Sequence, residues 1–171
     1  MSQQNLDNVC NEEIFDGIFR AESKDLHNFL YYKFGGDNNP KDIVQEAFIK
    51  LWNNCAKVVP EKARSFLFTV ANNHMLNELS KKKTALAYQK EKPKEYTIES
   101  PEYIMEGNEY MQKLQTALED LTEEQRVTFL MNRVDGKKHQ EIANLLGISK
   151  KAVEKRIYTA LKILRTKLGN L

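Results

Sequence analysis

Apolar residues early in the chain return at three- and four-residue steps: Ile14, Phe15, Ile18, Phe19, Leu26, Phe29, Leu30 and Phe34. This period predicts one helix, or two abutting helices, with a single buried stripe. Gly35 and Gly36 stop the run. Pro40, whose fixed φ suits a first helical position, opens a second predicted helix that directs Ile43, Val44, Ala47, Phe48, Leu51 and Trp52 toward a core and ends around Asn54. A third begins after Pro60 and carries Phe66, Leu67, Val70, Ala71, Met75, Leu76 and Leu79. It runs into Lys81, Lys82 and Lys83, where cations suit the carbonyl end of a helix. Three such stripes can close one core, so residues 1–84 are read as a first helical domain.

From 85 to 108 the apolar period fails. Pro93 and Pro101 sit among Glu91, Glu95, Glu99, Glu102 and Glu106, the composition of an acidic linker in which short helical turns are compatible with the sequence. Residues 109–171 restore the helical period. Leu114, Ala117, Leu118 and Leu121 mark one helix, and Thr122 followed by Gln125 is a capping-box signature for the next, which holds Val127, Phe129, Leu130 and Val134. Asp135-Gly136 is a turn, after which Ile142, Ala143, Leu145 and Leu146 share one face between His139 and Leu146. Gly147 closes that helix and Ile148 can plug the corner. Ser149 can cap a last helix with a stripe of Val153, Ile157, Ala160, Leu161, Leu164 and Leu168. The fold class is therefore all-α, two small helical domains joined by a flexible linker, with no internal repeat.

A short helix, a glycine-containing turn and a capped second helix is the layout of a helix-turn-helix, and the small side chain of Ala143 lets the two helices approach closely. With Val153 and Ile157 turned inward, Lys150, Lys151, Glu154, Lys155 and Tyr158 fall on outer faces near the amino end of the last helix, with Arg156 at the flank. A recognition helix presents side chains to base edges from that end. Lys and Arg donate to guanine acceptors or phosphate and Glu154 can accept from cytosine N4. The alternative is a structural helical hairpin that never touches DNA.

Charge sharpens the division. The net charge of +2 conceals seven basic against three acidic residues over 61–92, one against five over 93–111, and twelve against seven over 112–171. Two basic segments thus flank an acidic one, the distribution expected if a long polyanion touches both. Solvated helix surface explains the same charges without a ligand. Four prolines and seven glycines in 171 residues exclude a fibrous or low-complexity chain, and no apolar run is long enough to span a bilayer. The polar opening from Ser2 to Asn8 lacks the pattern of a secretory signal, so the cytoplasm is the expected compartment and direct membrane insertion is not expected. Cys10 and Cys55, far apart and without a CxxC, read as ordinary thiols of a reducing compartment. His27, His74 and His139 lack partners at ligand spacing, so no metal site is expected. Neither a phosphate loop nor a nucleophile motif points to catalysis.

Three stretches carry a family resemblance that covers nearly the whole chain. Asp42 to Trp52 (DIVQEAFIKLW) is similar to the polymerase-docking helix of bacterial extracytoplasmic-function sigma factors, small members of the sigma-70 family. The resemblance implies that Asp42, Gln45, Glu46 and Lys50 contact core RNA polymerase while Phe48, Leu51 and Trp52 hold the helix in its bundle. Ala63 to Asn73 (ARSFLFTVANN), continuing to Lys83, resembles the segment that captures the melted minus 10 element. It implies contacts from Arg64, Phe66, Asn72, Asn73, His74, Lys81, Lys82 and Lys83. Unstacked bases need stacking surfaces, polar pocket groups and a cationic groove, which these residues and Phe68 can supply. For Phe66 and Phe68 a place in the core is the competing reading. Residues from Ala117 to Arg165 resemble the domain that reads the minus 35 element as duplex, implying contacts from Lys138, Ser149, Lys150, Lys151, Glu154, Lys155, Arg156 and Tyr158.

Asn72 and Asn77 stand where the family often has Arg and Asp, a departure that bears on the promoter sequence. His139, Ala152 and Thr159 stand where an aromatic residue, Thr and Arg are common. Val153-Glu154-Lys155 is similar to the iron-citrate-type subgroup common in Bacteroidota. The implied protein is a non-catalytic specificity subunit without cofactors. Its implied partners are core RNA polymerase, promoter DNA as duplex and melted strand, and an anti-sigma factor, often membrane-bound. The competing readings are a stand-alone helix-turn-helix regulator with a sensing or dimerisation domain, and a structural helical adaptor. The docking motif discriminates against the first and the two basic segments against the second.

Overall fold

The computed structural model describes residues 8–88 and 105–169, and the chain divides into two compact units on either side of the Lys92–Pro93 bond. In the amino-terminal unit, helix α1 spans Glu12–Phe34, α2 Pro40–Asn53 and α3 Pro60–Tyr88. The stripe read as one helix or two is one. It starts because the Asn11 side chain accepts from the backbone N–H groups of Glu13 (2.9 Å) and Ile14 (3.3 Å), with Glu12 and Glu13 favourably placed in the first turn. It stops at Gly35, whose φ of 82° would strain any side-chain-bearing residue.

Leu26 and Leu30 of α1, Ile43, Val44, Ala47, Phe48 and Leu51 of α2, and Ala63, Leu67, Phe68, Ala71 and Met75 of α3 form the core, joined by Val9 from the preceding segment. Each large side chain buried this completely contributes about 1.5–3 kcal/mol. Ala47, Ala63 and Ala71 keep the helices close, and Phe29 packs on Phe68 at a centroid distance of 5.2 Å. Phe68 is thus a core residue. Polar ties fasten the rim: Arg64 bonds Glu22 at 2.7 Å, Lys33 bonds Asn72 at 2.8 Å and Lys82 bonds Asn38 at 3.2 Å.

Four expectations change, the first being Phe19 of the α1 stripe, which is exposed. Trp52 is 42 % exposed, its ring edge-to-face with Phe15 of α1 at a centroid distance of 5.0 Å. Leu76 is also exposed. Cys10 and Cys55 are not ordinary thiols but a disulfide pair, their Cα atoms 4.9 Å apart across 45 positions of sequence. The pair joins the segment before α1 to the turn after α2, an encounter that sequence spacing does not reveal.

In the carboxyl-terminal unit, α4 spans Met105–Glu119, α5 Glu123–Arg133, α6 His139–Leu146 and α7 Lys150–Leu168. The expected capping box is present, Gln125 N–H donating to Thr122 Oγ1 (3.3 Å) and Thr122 N–H to Gln125 Oε1 (3.1 Å). Helix α7 is the axis of the unit. Its Ala160 and Leu164 close on Ala117 and Leu121 with Leu118, Phe129, Ile163 and Leu168 around them. Val153 and Ile157 are buried on the same helix, as are Val127, Met131, Ile142, Ala143 and Leu145 from α5 and α6. Val134 does not join the stripe read for α5 and is exposed. The stretch read as a linker lies mostly outside the described residues. At its edges the good helix formers from Ala85 extend α3 to Tyr88, and α4 already begins at Met105.

Candidate functional site

Three surfaces stand out. The first is the amino end of α7. Gly147, at φ 65°, ends α6, Ile148 N–H donates to Ala143 O (3.0 Å), and the Ser149 hydroxyl accepts from Ala152 N–H (3.2 Å). This fixes the angle at which α7 leaves the turn. Lys150, Lys151, Glu154, Lys155 and Tyr158 are all exposed on it, Tyr158 at 72 %. Glu154 is shared between Lys150 (3.8 Å) and His139 (3.6 Å). Arg156 reaches across the surface to Glu124 of α5 at 2.6 Å. Lys138 is exposed beside this end, its backbone N–H held by Glu141 at 2.7 Å. The first turn of α7 has no acid and two lysines, the reverse of what the helix dipole favours and a suitable arrangement for anions.

The second surface lies on α2. Asp42, Gln45, Glu46, Ile49 and Lys50 are exposed along it. Beside them runs an apolar groove of about 410 Å³ lined by Phe15, Phe19, Gln45, Phe48, Ile49 and Trp52. Exposed Phe19, Ile49 and Trp52 next to a polar row form the mixed surface typical of a protein interface.

The third is a groove of about 650 Å³ between the turn after α2 and the outer face of α3, lined by Lys57, Val58, Lys62, Ser65, Phe66, Thr69 and Val70. Phe66 supplies an aromatic face, Lys57 and Lys62 supply cations, and Ser65 and Thr69 supply hydroxyls. Asn73 lies seven residues beyond Phe66, hence on the same side of α3, and is exposed. The other residues expected to meet single-stranded DNA are not gathered here. Arg64 faces Glu22 and Asp25 (3.6 Å), and Asn72 accepts from Lys33. His74 lies 4.0 Å from Glu78, with its Nδ1 buried and unbonded. Lys81 bonds Glu78 at 2.9 Å, and that ammonium holds the Glu78 carboxyl below the usual glutamate range. Lys81, Lys82 and Lys83 form an exposed cationic run two to three turns beyond Asn73 and, because α3 continues to Tyr88, do not stand at its carbonyl end as the sequence suggested. Sequence reasoning missed Lys57, Val58, Lys62, Ser65 and Thr69. The signal available was the Val58-Val59-Pro60 break, which forces a turn whose residues face the start of α3. Among the described residues no cluster of three or more His, Cys, Asp or Glu could hold a metal ion.

These surfaces coincide with two matched family regions. Sigma-70 region 2 matches residues 18–84 and sigma-70 region 4 matches residues 111–164, together most of the chain. The chain belongs to the sigma-70 family, among the extracytoplasmic-function sigma factors, subunits that direct RNA polymerase to promoters. It is 22 % identical over 162 residues to the ECF RNA polymerase sigma factor SigX of Bacillus subtilis (strain 168), covering 90 % of this chain and 83 % of that protein. It is 27 % identical over 150 residues to the ferric citrate uptake sigma factor FecI of Escherichia coli (strain K12), covering 86 % and 87 %. Among solved structures it resembles the sigma factor RpoE in complex with the anti-sigma factor NepR from Bartonella quintana. The TM-score is 0.55 at 17 % identity, over 90 % of this chain and 96 % of that one.

Proposed function

We propose that the two units divide promoter recognition. In this reading the exposed row Asp42, Gln45, Glu46 and Lys50 on α2 docks on core RNA polymerase, with Phe19, Ile49 and Trp52 filling an apolar complement. The groove beside Phe66 takes an unstacked base of the melted minus 10 strand. Phe66 stacks, Ser65, Thr69 and Asn73 supply hydrogen bonds, and Lys57, Lys62 and the Lys81 to Lys83 run neutralise phosphates. Arg64 and Asn72 act in the same segment by holding α3 against α1, and His74 sits beside Glu78 on α3 itself. The amino end of α7 enters the major groove of the minus 35 duplex, where Lys150, Lys151, Glu154, Lys155 and Tyr158 reach bases or phosphates. Lys138 and Ser149 are placed for backbone contacts and Arg156 positions the helix through Glu124. The division is 1–84 for docking and strand capture, 85–108 as connection and 109–171 for duplex reading. The chain works as a non-catalytic specificity subunit inside the cell. Its regulating partner is an anti-sigma factor, the kind of protein bound in the similar RpoE structure. The iron-citrate-type subgroup fits Val153 to Lys155.

The observation that carries this reading is the polar row on α2, flanked by exposed apolar side chains, inside the region 2 match. A stand-alone helix-turn-helix regulator has no use for it. The test is association of the purified chain with core RNA polymerase without DNA. Asp42→Ala combined with Glu46→Ala should weaken it about tenfold, or ~1.4 kcal/mol, while leaving minus 35 duplex binding unchanged. No saturable binding to active core by folded protein would refute the reading.

A further inference from the structure

The proposed strand groove has one weakly anchored wall. From Trp52 through Lys62 no residue is buried, although Leu51 and Ala63 on either side are. The turn Cys55–Lys57 inside this stretch carries Lys57 and is followed by Val58, which together face Lys62, Ser65 and Phe66 across the groove. Local backbone bonds shape the turn, Asn54 N–H to Lys50 O (3.2 Å) and Lys57 N–H to Asn54 O (2.8 Å), but neither ties it to the rest of the unit. The Cys10–Cys55 disulfide does. Its other end is firmly held, because Cys10 lies between Val9, which is fully buried, and Asn11, which caps α1. Its own N–H donates to Asn8 Oδ1 at 2.9 Å.

Both cysteines are half-buried, neither one enclosed in the core. A protein that works on DNA beside polymerase in a reducing cell meets thiols continually. A disulfide there is a reversible feature rather than a permanent staple.

We propose that Cys10 and Cys55 form a thiol–disulfide switch that sets the order of the groove's Cys55–Val58 wall and thereby the capture of the melted strand. This rests on reading the groove as the strand site. Closure proceeds by exchange with a low-molecular-weight disulfide. One cysteine thiolate attacks it, giving a mixed disulfide and releasing one small thiol. The second cysteine thiolate attacks the protein sulfur of that mixed disulfide, closing Cys10–Cys55 and releasing the second small thiol. Two electrons pass to the small disulfide, and the two cysteine protons end on the two released thiols. Reduction by a small dithiol or by two thiols reverses both steps.

The full chain is equilibrated in defined ratios of oxidised to reduced glutathione, alkylated and weighed. A monomeric, reversible loss of two alkyl groups on oxidation, one from Cys10 and one from Cys55, is expected. Failure to close, or closure only between chains, overturns the proposal. Hydrogen exchange is then compared between the oxidised and reduced chains. Amides from Cys55 to Val58 should exchange about tenfold faster after reduction, with Leu67 to Met75 unchanged. Cys10→Ser should behave as the reduced chain under either condition. Equal exchange in both states overturns the switch. Binding of a single-stranded minus 10 oligonucleotide should fall about three- to tenfold on reduction. Equal or stronger binding by the reduced chain overturns the gating. Phe66→Ala in the oxidised chain checks the groove separately: unchanged strand binding would sink the strand-site reading, while the exchange comparison still judges the switch.

Discussion

Replacing Arg64 with alanine is expected to destabilise the amino-terminal unit by about 2 kcal/mol. Its Nε lies 2.7 Å from Glu22 Oε2 and its Nη2 3.6 Å from Asp25 Oδ2, and the two carboxylate side chains are only 14 % and 15 % exposed. Unit charges about 4 Å apart at an effective dielectric of about 20 attract by roughly 4 kcal/mol. Most of that is offset, because Arg64 itself is 39 % exposed and water screens it, and because both carboxylates give up hydration to sit there. Removing the cation takes from Glu22, whose side chain is 14 % exposed, its bond to Arg64, which places the loss between the zero to ~1 kcal/mol of a surface pair and the ~3–5 kcal/mol of a broken buried one. Loss of the packed aliphatic stem acts in the same direction.

The chain's single tryptophan, Trp52, belongs to this unit, so its fluorescence in urea follows the right transition. With a slope near 1 kcal/mol per M for a unit of this size, the midpoint should fall by about 2 M. Glu22→Ala, alone and with Arg64→Ala, completes a cycle in which a coupling of about 1 kcal/mol is expected. An Arg64→Ala chain that unfolds at the wild-type midpoint yet binds the melted strand less tightly would refute the assignment. It would move Arg64 from the helix interface to the DNA.

Three further outcomes are expected. Lys151→Ala with Lys155→Ala should weaken minus 35 duplex binding and flatten the slope of log K against log salt by about 0.9 for each phosphate that is no longer neutralised, read by titration over a range of salt. Gly147→Ala should cost about 1 kcal/mol in the carboxyl-terminal unit. An added Cβ meets nothing within 4 Å, so the loss is the backbone strain of φ 65° alone, and thermal melts followed by circular dichroism should show it. The Glu78 carboxyl should titrate below the ordinary glutamate range in an NMR pH series and move up in Lys81→Ala. Because its folded-state pKa is lowered, its stabilising contribution is present above the unfolded value and is lost as pH falls through the folded one.

Periodicity and caps made most of the fold legible. Ile43, Ala47 and Leu51 share a face by four-residue steps, as do Leu67, Ala71 and Met75, and both sets are buried. The same arithmetic explains the misses. Each four-residue step advances about 40° around a helix, so Val44 and Phe48 still face the core while Trp52 has rotated past it. In the carboxyl-terminal unit Thr122, Gln125, Gly147 and Ser149 act within a few residues of their own backbone, which is why the helix-turn-helix could be read directly. What could not be read depends on encounters far apart in sequence. The Cys10–Cys55 link, the inward turn of Arg64 and the groove wall at Lys57 and Val58 all follow from how the helices dock.

Local rules are broken where the proposed partners bind, and those breaks carry more functional information than the rules that hold. Helices α1 and α5 each begin with two glutamates, as the helix dipole favours, whereas α7 begins with two lysines. Each misplaced cation costs about 0.3–1 kcal/mol at low ionic strength, and a phosphate at that end would reverse the sign of the interaction. Helix α2 departs in another way, leaving Ile49 and Trp52 in water beside Asp42 and Glu46. Burying such side chains recovers the transfer free energy that folding alone left unused. Both departures weaken the free chain and strengthen the bound one. Duplex should therefore stabilise the carboxyl-terminal unit and core polymerase the amino-terminal unit, each without the other.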